Sequence, residues 1–193
     1  MTRGQLLSRT AAGGLALAGL ASATASPASA GIGQPDIPVV TLALAAELLG
    51  AELYTQALGA EVFDTAETHY LKRAQSNEAE HYAALAKILT DAGQTLGQAS
   101  DFDFTFPTKA FATRKSTAGL GVQLETAFVG IYLGGAATLQ DTVTRSVFAR
   151  IAASQSQHLS VFSRIVMDRP IGVAFPPALS LEDGSTAIDP FIS

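Results

Sequence analysis

Two long apolar stretches of this 193-residue chain each contain a single charged side chain. Within Ser116–Gln140 only Glu125 is charged, and within Thr41–Ala51 only Glu47. A helix that is apolar nearly all round is buried. A buried carboxylate must be protonated, paired or bound to a cation. We therefore expect both glutamates to point into a helical core and to meet polar partners there.

Four long segments have helical patterning, at about residues 41–58, 64–91, 116–140 and 141–168. Short connections make the first two, and the last two, antiparallel hairpins. The intervening residues 92–115 can run the length of a helix at about 3.3 Å per residue. Alternation within Asp101–Pro107 predicts an extended connector there. The predicted fold is an all-α four-helix bundle over residues 36–169, made of two antiparallel hairpins joined by a long crossover.

The two halves of this predicted bundle carry the same polar residues in the same order, with one substitution. In each half a Glu precedes a Tyr by seven positions, and about thirty positions later a Glu or Gln precedes a His by three. The pairs are Glu47 with Tyr54, Glu78 with His81, Glu125 with Tyr132, and Gln155 with His158. We interpret this pattern as an internal two-fold repeat of helical hairpins.

The repeated residues have the chemistry of a metal site. Glu78 and His81, at positions i and i+3, project from one helical face. Carboxylates with an imidazole on each side suit iron or manganese, and zinc less distinctively. Glu80 and Glu52 point to other faces, and His69 is expected at the surface or the core edge. For Tyr54 and Tyr132 we favour core packing over a place beside the glutamates.

At these residues the chain resembles the ferritin-like superfamily. It is most similar to exported ferritin-like domain proteins related to plant desiccation-related proteins. The resemblance covers about residues 36–192, and its matching stretches are LAAELLGAELY at 44–54, EAEH at 78–81, LETAFVGIYLGGA at 124–136, QSQH at 155–158, and AFPP and PFI in the closing residues 174–192.

The resemblance implies a ferritin-like four-helix bundle with a carboxylate-bridged di-metal site of iron or manganese ions. Glu47 and Glu125 would be single-helix ligands, Glu78 and His81 one Glu-x-x-His pair, and His158 the remaining histidine ligand. The family pattern has Glu where this chain has Gln155, which makes Gln155 a weaker ligand.

Gln155 leaves three carboxylates for two divalent cations. About one positive charge is then uncompensated in a low-dielectric core, which weakens binding of the second ion. The site could therefore hold two ions weakly, hold one, or be a metal-free polar network. Two functions remain open: a metal-dependent oxidoreductase acting on oxygen or peroxide, and a non-catalytic exported bundle with a protective or structural role. A fold alone does not choose between them.

The ends and the composition limit where and with what the protein acts. Residues 1–30 carry two arginines, an apolar run and a closing Ala-Ser-Ala, which predicts a secretory signal cleaved after Ala30. The remainder has 10 basic and 17 acidic residues, a net charge of −7, which disfavours nucleic acid as a partner. The absence of cysteine excludes thiolate sites. We expect an exported, extracytoplasmic protein without a membrane span after signal removal, with a Pro-rich tail at 170–193 packed on the bundle. A homo-oligomer stays open.

Overall fold

The computed structural model describes residues 32–96 and 101–192. The signal sequence predicted at 1–30 lies outside these residues. In the described ranges the β-pairing is limited to one antiparallel bridge between Phe104 and Ile192. Within residues 32–96 and 101–192, four long helices and one short helix make up the fold. They are α1 (Ile37–Gly59), α2 (Thr65–Asp91), α3 (Arg114–Thr138), α4 (Thr142–Met167) and α5 (Leu181–Ile188), followed by a 3₁₀ turn at Asp189–Phe191.

The four long helices form a bundle of two hairpins. α1 packs against α2 and α3 packs against α4, while α1 also contacts α3 and α2 also contacts α4. The crossover from α2 to α3 spans residues 92–113. The prediction of an all-α bundle built from two hairpins and a long crossover is confirmed.

The helix ends follow from their capping residues. α1 begins at Ile37, four residues before the predicted start. Pro38 lies in the first turn, where backbone N–H groups have no partner within the helix, so the N–H that proline lacks costs no helical hydrogen bond. Asp64 caps α2 and forms a reciprocal capping box with Glu67. The buried carboxylate of Asp36 accepts hydrogen bonds at 2.9–3.1 Å from the backbone N–H groups of residues 140 and 141, which ties the start of α1 to the α3–α4 turn.

The tail contains a helix that sequence patterning missed. Residues 167–178 are exposed, and the chain then returns to the bundle where the Leu179 N–H bonds to the Gly130 carbonyl at 2.9 Å. α5 follows, capped by Ser180, and contacts α3 and α1. Eight residues are too few for the sequence of α5 to show a clear helical period, and the prolines that precede it favour an extended backbone.

α1 and α3 are the apolar inner helices of the bundle. Each is long and apolar enough to cross a membrane by length and composition alone, yet 61% of the apolar window of each is buried inside the bundle. Interior helices of a bundle meet the same criterion because they are apolar nearly all round. These are also the helices that carry the solitary glutamates.

Candidate metal centre

The six predicted site residues meet in the middle of the bundle, one or two from each long helix. The side chains of Glu47, Glu78, Glu125 and Gln155 are fully buried, and His158 is 5% exposed. His81 lies nearest to solvent, with 13% of its side chain exposed. The solitary glutamates thus point inward from the two apolar helices, as their sequence context predicted.

Two groups of possible ligands share one glutamate. Glu47, Glu78 and His81 form the first group, and Glu78, Glu125 and His158 form the second; within each group the ligand atoms lie within 4.8 Å of one another. The two imidazole ring centroids are 6.2 Å apart. Glu78 therefore lies between two adjacent positions that could each hold a metal ion.

Each of these six residues has one buried polar atom that makes no hydrogen bond, and four of these atoms face each other in two close pairs, His81 Nδ1 with Glu47 Oε2 at 3.3 Å and His158 Nδ1 with Glu78 Oε1 at 3.0 Å. In the described part of the chain they are the whole set of such side-chain atoms: Glu47 Oε2, Glu78 Oε1, His81 Nδ1, Glu125 Oε2, Gln155 Oε1 and His158 Nδ1. Buried polar atoms are normally satisfied, and orphaned ones need an explanation such as an ion. Oxygen and imidazole nitrogen donors are also the set that iron and manganese accept. The residues fit a metal centre.

Two buried tyrosines bond to the glutamates, which corrects our preference for simple core packing. The Tyr54 hydroxyl on α1 donates to Glu125 Oε1 on α3, and the Tyr132 hydroxyl on α3 donates to Glu47 Oε1 on α1. Both tyrosines are fully buried. The repeated seven-residue spacing was the sequence signal, but each tyrosine serves the glutamate of the other hairpin.

Amides provide the remaining polar contacts of the centre. Gln155 Nε2 donates to Glu47 Oε1 at 3.3 Å and to Glu78 Oε2 at 3.2 Å. Asn77, which sequence reasoning missed, bonds to His158 Nε2 at 3.0 Å. That bond turns the Nδ1 of His158 toward the carboxylates, 3.0 Å from Glu78 Oε1 and 3.7 Å from Glu125 Oε1.

Burial and crowding shift the titration of these groups. Burial raises the pKa of Glu125 to about 7. Burial and the charge of Glu78 raise the pKa of Glu47 well above its ordinary value. Burial lowers the pKa of His158, but Glu125 and Glu78 outweigh it and raise that pKa to about 9. Burial would raise the pKa of Glu78, but its contacts with Glu47 and His158 lower it on balance. Burial lowers the pKa of His81.

A glycine makes room for the shared carboxylate. A Cβ built on Gly50 of α1 would lie 3.0 Å from Glu78 Oε2, 3.2 Å from Glu78 Cδ and 3.3 Å from Phe128. These distances are so short that both Glu78 and Phe128 would have to move slightly to admit the Cβ. Gly50 therefore leaves the space in which the Glu78 carboxylate lies.

A small cavity of about 100 Å³ reaches the centre from the side of α2 and α4. Tyr54, Asn77 and His158 line it, together with Arg73 and Leu71. The cavity is large enough to admit water-sized molecules, and the Asn77–His158 pair lies in its wall.

The acidic and histidine residues set aside on sequence grounds lie away from the centre. Glu80 is exposed and pairs with Arg73 at 3.7 Å. Glu52 accepts a hydrogen bond from Gln56 at 2.8 Å on its own helix. His69 is exposed and packs edge-on against Tyr70.

A four-helix bundle of two hairpins with a buried carboxylate and histidine cluster defines the ferritin-like class. Comparison with family models agrees, because residues 35–168 match the ferritin-like domain. The chain belongs to the ferritin-like domain family. A comparison with curated proteins finds no match.

Proposed function

We propose that this protein is an exported ferritin-like protein that binds iron or manganese in the bundle centre. The observation that carries this proposal is that one buried polar atom on each of the six site residues makes no hydrogen bond, while the possible ligand atoms of each group lie within 4.8 Å of one another. Metal coordination supplies partners to such atoms in a single step.

The residues have separate roles in this proposal. Glu78 would serve both positions because it belongs to both groups of ligands. Glu47 with His81 would complete one position, and Glu125 with His158 would complete the other. Bound iron or manganese would supply one-electron chemistry with oxygen or peroxide. The chain itself contributes a buried, proton-holding carboxylate cluster and a small cavity that His158 helps to line.

Gln155 sets the expected stoichiometry. Its neutral amide leaves three glutamates for up to two divalent ions, so the first ion is well compensated and the second is not. Its Nε2 also donates to two of the glutamates and partly replaces the missing cation for them. We propose one ion bound tightly and a second bound more weakly.

The test is metal binding by the full chain. Protein reconstituted anaerobically with Fe(II), and separately with Mn(II), is desalted and analysed for bound metal, with affinities measured by chelator competition. Glu78→Gln should abolish binding at both positions. Glu80→Gln makes the same chemical change on an exposed carboxylate two positions along α2 and should bind like wild type. Equal binding by wild type and Glu78→Gln would refute the assignment.

A metal-free bundle is the second candidate. Gln155 favours it, because its amide bonds to Glu47 and Glu78 while His158 lies close to Glu78 and Glu125. Such a protein would be a protective or structural remnant of a metal site. Wild type that retains neither ion after reconstitution would establish this candidate in place of the first.

Export and a role in stress or desiccation protection complete the proposal. Support comes from the charged, apolar and small-residue order of residues 1–30 and from the resemblance to desiccation-related proteins over 36–192. Mass spectrometry of protein secreted by an expressing cell should find a mature N-terminus at Gly31. Survival after drying or peroxide should fall in cells that lack the protein, and Glu78→Gln should not restore it if protection depends on metal. An intact N-terminus on protein retained in the cytoplasm would refute export.

A further inference from the structure

The segment that leads from α4 towards the tail helix is both apolar and exposed. We call residues 167–178 the tail linker, and all of them are exposed. Within the described residues six large apolar side chains are exposed, and four of them belong to this linker: Met167 at 49%, Val173 at 71%, Ile171 at 88% and Phe175 at 92%. Together these four present roughly a few hundred Å² of apolar surface, the scale at which a patch marks an interaction site.

The residues that follow the linker are, by contrast, closely docked. We call residues 179–192 the tail anchor. Its first N–H, on Leu179, bonds to the Gly130 carbonyl at 2.9 Å, and a Cβ on Gly134 would overlap the Leu179 carbonyl oxygen. Backbone therefore lies directly on backbone at α3. Further along, α5 packs on α3 and α1, and the anchor buries Ser185, Ile188, Phe191 and Ile192.

The end of the anchor is held by the crossover. Phe104 and Ile192 form the antiparallel bridge, and the Thr105 N–H bonds to the Phe191 carbonyl at 2.9 Å. The anchor is thus bound by α1, α3 and the crossover, while the backbone of residues 169–178 forms no hydrogen bond to other described residues. The contacts of the anchor do not depend on the path that the linker takes.

The linker is longer than its path requires. α4 ends at Met167 beside the start of α3, because these two helices form an antiparallel hairpin. The anchor begins at Gly130, about 16 residues along α3, which corresponds to about 25 Å at 1.5 Å per residue. Residues 167–178 extend to about 40 Å at 3.3 Å per residue. This surplus lets the anchor reach the same docking surface on a neighbouring molecule.

We propose that two copies of this chain exchange their tail anchors, so that residues 179–192 of one copy dock on α1, α3 and the crossover of the other. The two linkers then run antiparallel past each other between the copies. Ile171, Val173 and Phe175 of one linker cover the same residues of the other, which explains why they are exposed in a single copy. Exchange of an identical element is a low-cost route to a dimer because each anchor contact is kept.

Buried area and charge favour this arrangement over other covers for the linker. A specific interface buries about 1,200–2,000 Å² in total, and two linker patches of roughly a few hundred Å² each fall short of that. Exchanged anchors supply the remainder, since their buried side chains become part of the contact between copies. A net charge of −5 disfavours an anionic lipid surface as the cover.

The first test is the association state of the full chain, measured by sedimentation after equilibration at each of a series of concentrations. Wild type should show a monomer–dimer equilibrium. Phe175→Ser and Val173→Ser should each raise the dissociation constant by about tenfold or more, because each removes an apolar contact twice in a two-fold dimer. Val143→Ser is the matched control, since it changes a valine of the same 71% exposure at the start of α4 and should leave the constant unchanged.

An engineered disulfide separates exchange from simple association. The chain has no cysteine, and Phe104 and Ile192 lie opposite each other in an antiparallel pair, at a distance that a disulfide spans. The variant with both Phe104→Cys and Ile192→Cys, oxidised after isolation of the dimer, should run as a covalent dimer on a non-reducing gel. Phe104→Cys alone should run as a monomer and controls for random cross-linking.

Three outcomes would overturn the proposal. Wild type that stays monomeric at all concentrations up to about millimolar would do so, and so would a dimer whose oxidised double-cysteine variant runs as a monomer. A monomer that binds neutral lipid vesicles through Phe175 would assign the linker to a membrane surface in place of a second copy. The serine variants change exposed side chains only, so they test the dimer even where the double-cysteine variant fails to fold.

Discussion

The metal-free protein should lose stability as the pH rises from 5 to 9. Glu125 carries the clearest effect, because burial raises its pKa from 4.5 to about 7. The folded state then binds a proton that the unfolded state has already released between these two values. Stability from this group is fully present below pH 4.5 and is lost as the pH rises through 7. A difference of about 2.5 pKa units at about 1.4 kcal/mol per unit gives a loss of about 3 kcal/mol.

The neighbouring groups add to this slope or oppose it. His158 acts in the same direction at higher pH, since its pKa rises from 6.5 to about 9 and its stabilisation is lost over that interval. Glu47, with its pKa raised well above the ordinary value, also acts in this direction. The lowered pKa of His81 acts against it, whereas the lowered pKa of Glu78 acts only below pH 4.5, outside this interval. We expect a net fall because three groups with raised pKa values, Glu125, His158 and Glu47, oppose the single imidazole of His81.

Urea unfolding of chelator-treated protein at half-unit pH steps measures the free energy of unfolding at each pH. In thermal unfolding over the same pH range, a chain of this length should lose about 6–12 °C in Tm for a loss of about 3 kcal/mol. The difference in stability between wild type and Glu125→Gln isolates the glutamate, and it should change by about 3 kcal/mol between pH 4.5 and 7. With saturating Mn²⁺ the slope should reverse, because the ion and the protons compete for the same atoms. A wild-type minus Glu125→Gln difference that stays constant with pH would refute the reasoning.

Three further substitutions test single steps of the argument. Gln155→Glu should strengthen binding of the second ion by about tenfold or more in chelator competition, and should lower the stability of the metal-free protein because a fourth carboxylate enters the core; unchanged stoichiometry would contradict the charge argument. Gly50→Ala should weaken Mn²⁺ binding because its Cβ crowds the Glu78 carboxylate, although Ala improves helix propensity by about 1 kcal/mol. Gly119→Ala is the control: its Cβ meets nothing within 4 Å, so it should only stabilise the protein in thermal unfolding. Asp36→Ala should cost about 1–3 kcal/mol in urea unfolding because two partly buried backbone N–H groups lose a charged acceptor, without a change in metal affinity.

The inward direction of Glu47 and Glu125 was predictable because each lies in a helical stretch that is apolar on nearly every face. A helix without other charges over many residues cannot turn one carboxylate to solvent without exposing an apolar face. The spacing of Glu78 and His81 likewise places both on one face, and the exposed Glu80 two positions away confirms the phase of that helix. In both cases the helical period, a property of the local sequence, decides the outcome.

The partners of the two tyrosines were not predictable from the same period. Seven positions place Tyr54 on the same side of α1 as Glu47, which correctly puts the ring in the core. Its hydroxyl nevertheless bonds to Glu125, on a helix 71 residues away. Which glutamate it meets depends on the antiparallel register of α1 and α3, and that register is set by packing between hairpins. Gly50 was missed for the same reason, because its neighbour Glu78 comes from another helix.

The two-fold repeat is therefore kept in some parts of the centre and broken in others. Both outer glutamates keep a tyrosine from the opposite hairpin, and both positions keep a histidine. The break falls on the bridging position, where Glu78 has Gln155 as its counterpart. Because Glu78 belongs to both ligand groups, its loss removes both positions, whereas loss of an outer glutamate removes one. Gln155, where the repeat would place a second bridging glutamate, would thus weaken the coupling between the two possible metal positions and leave in place the residues that could define each position.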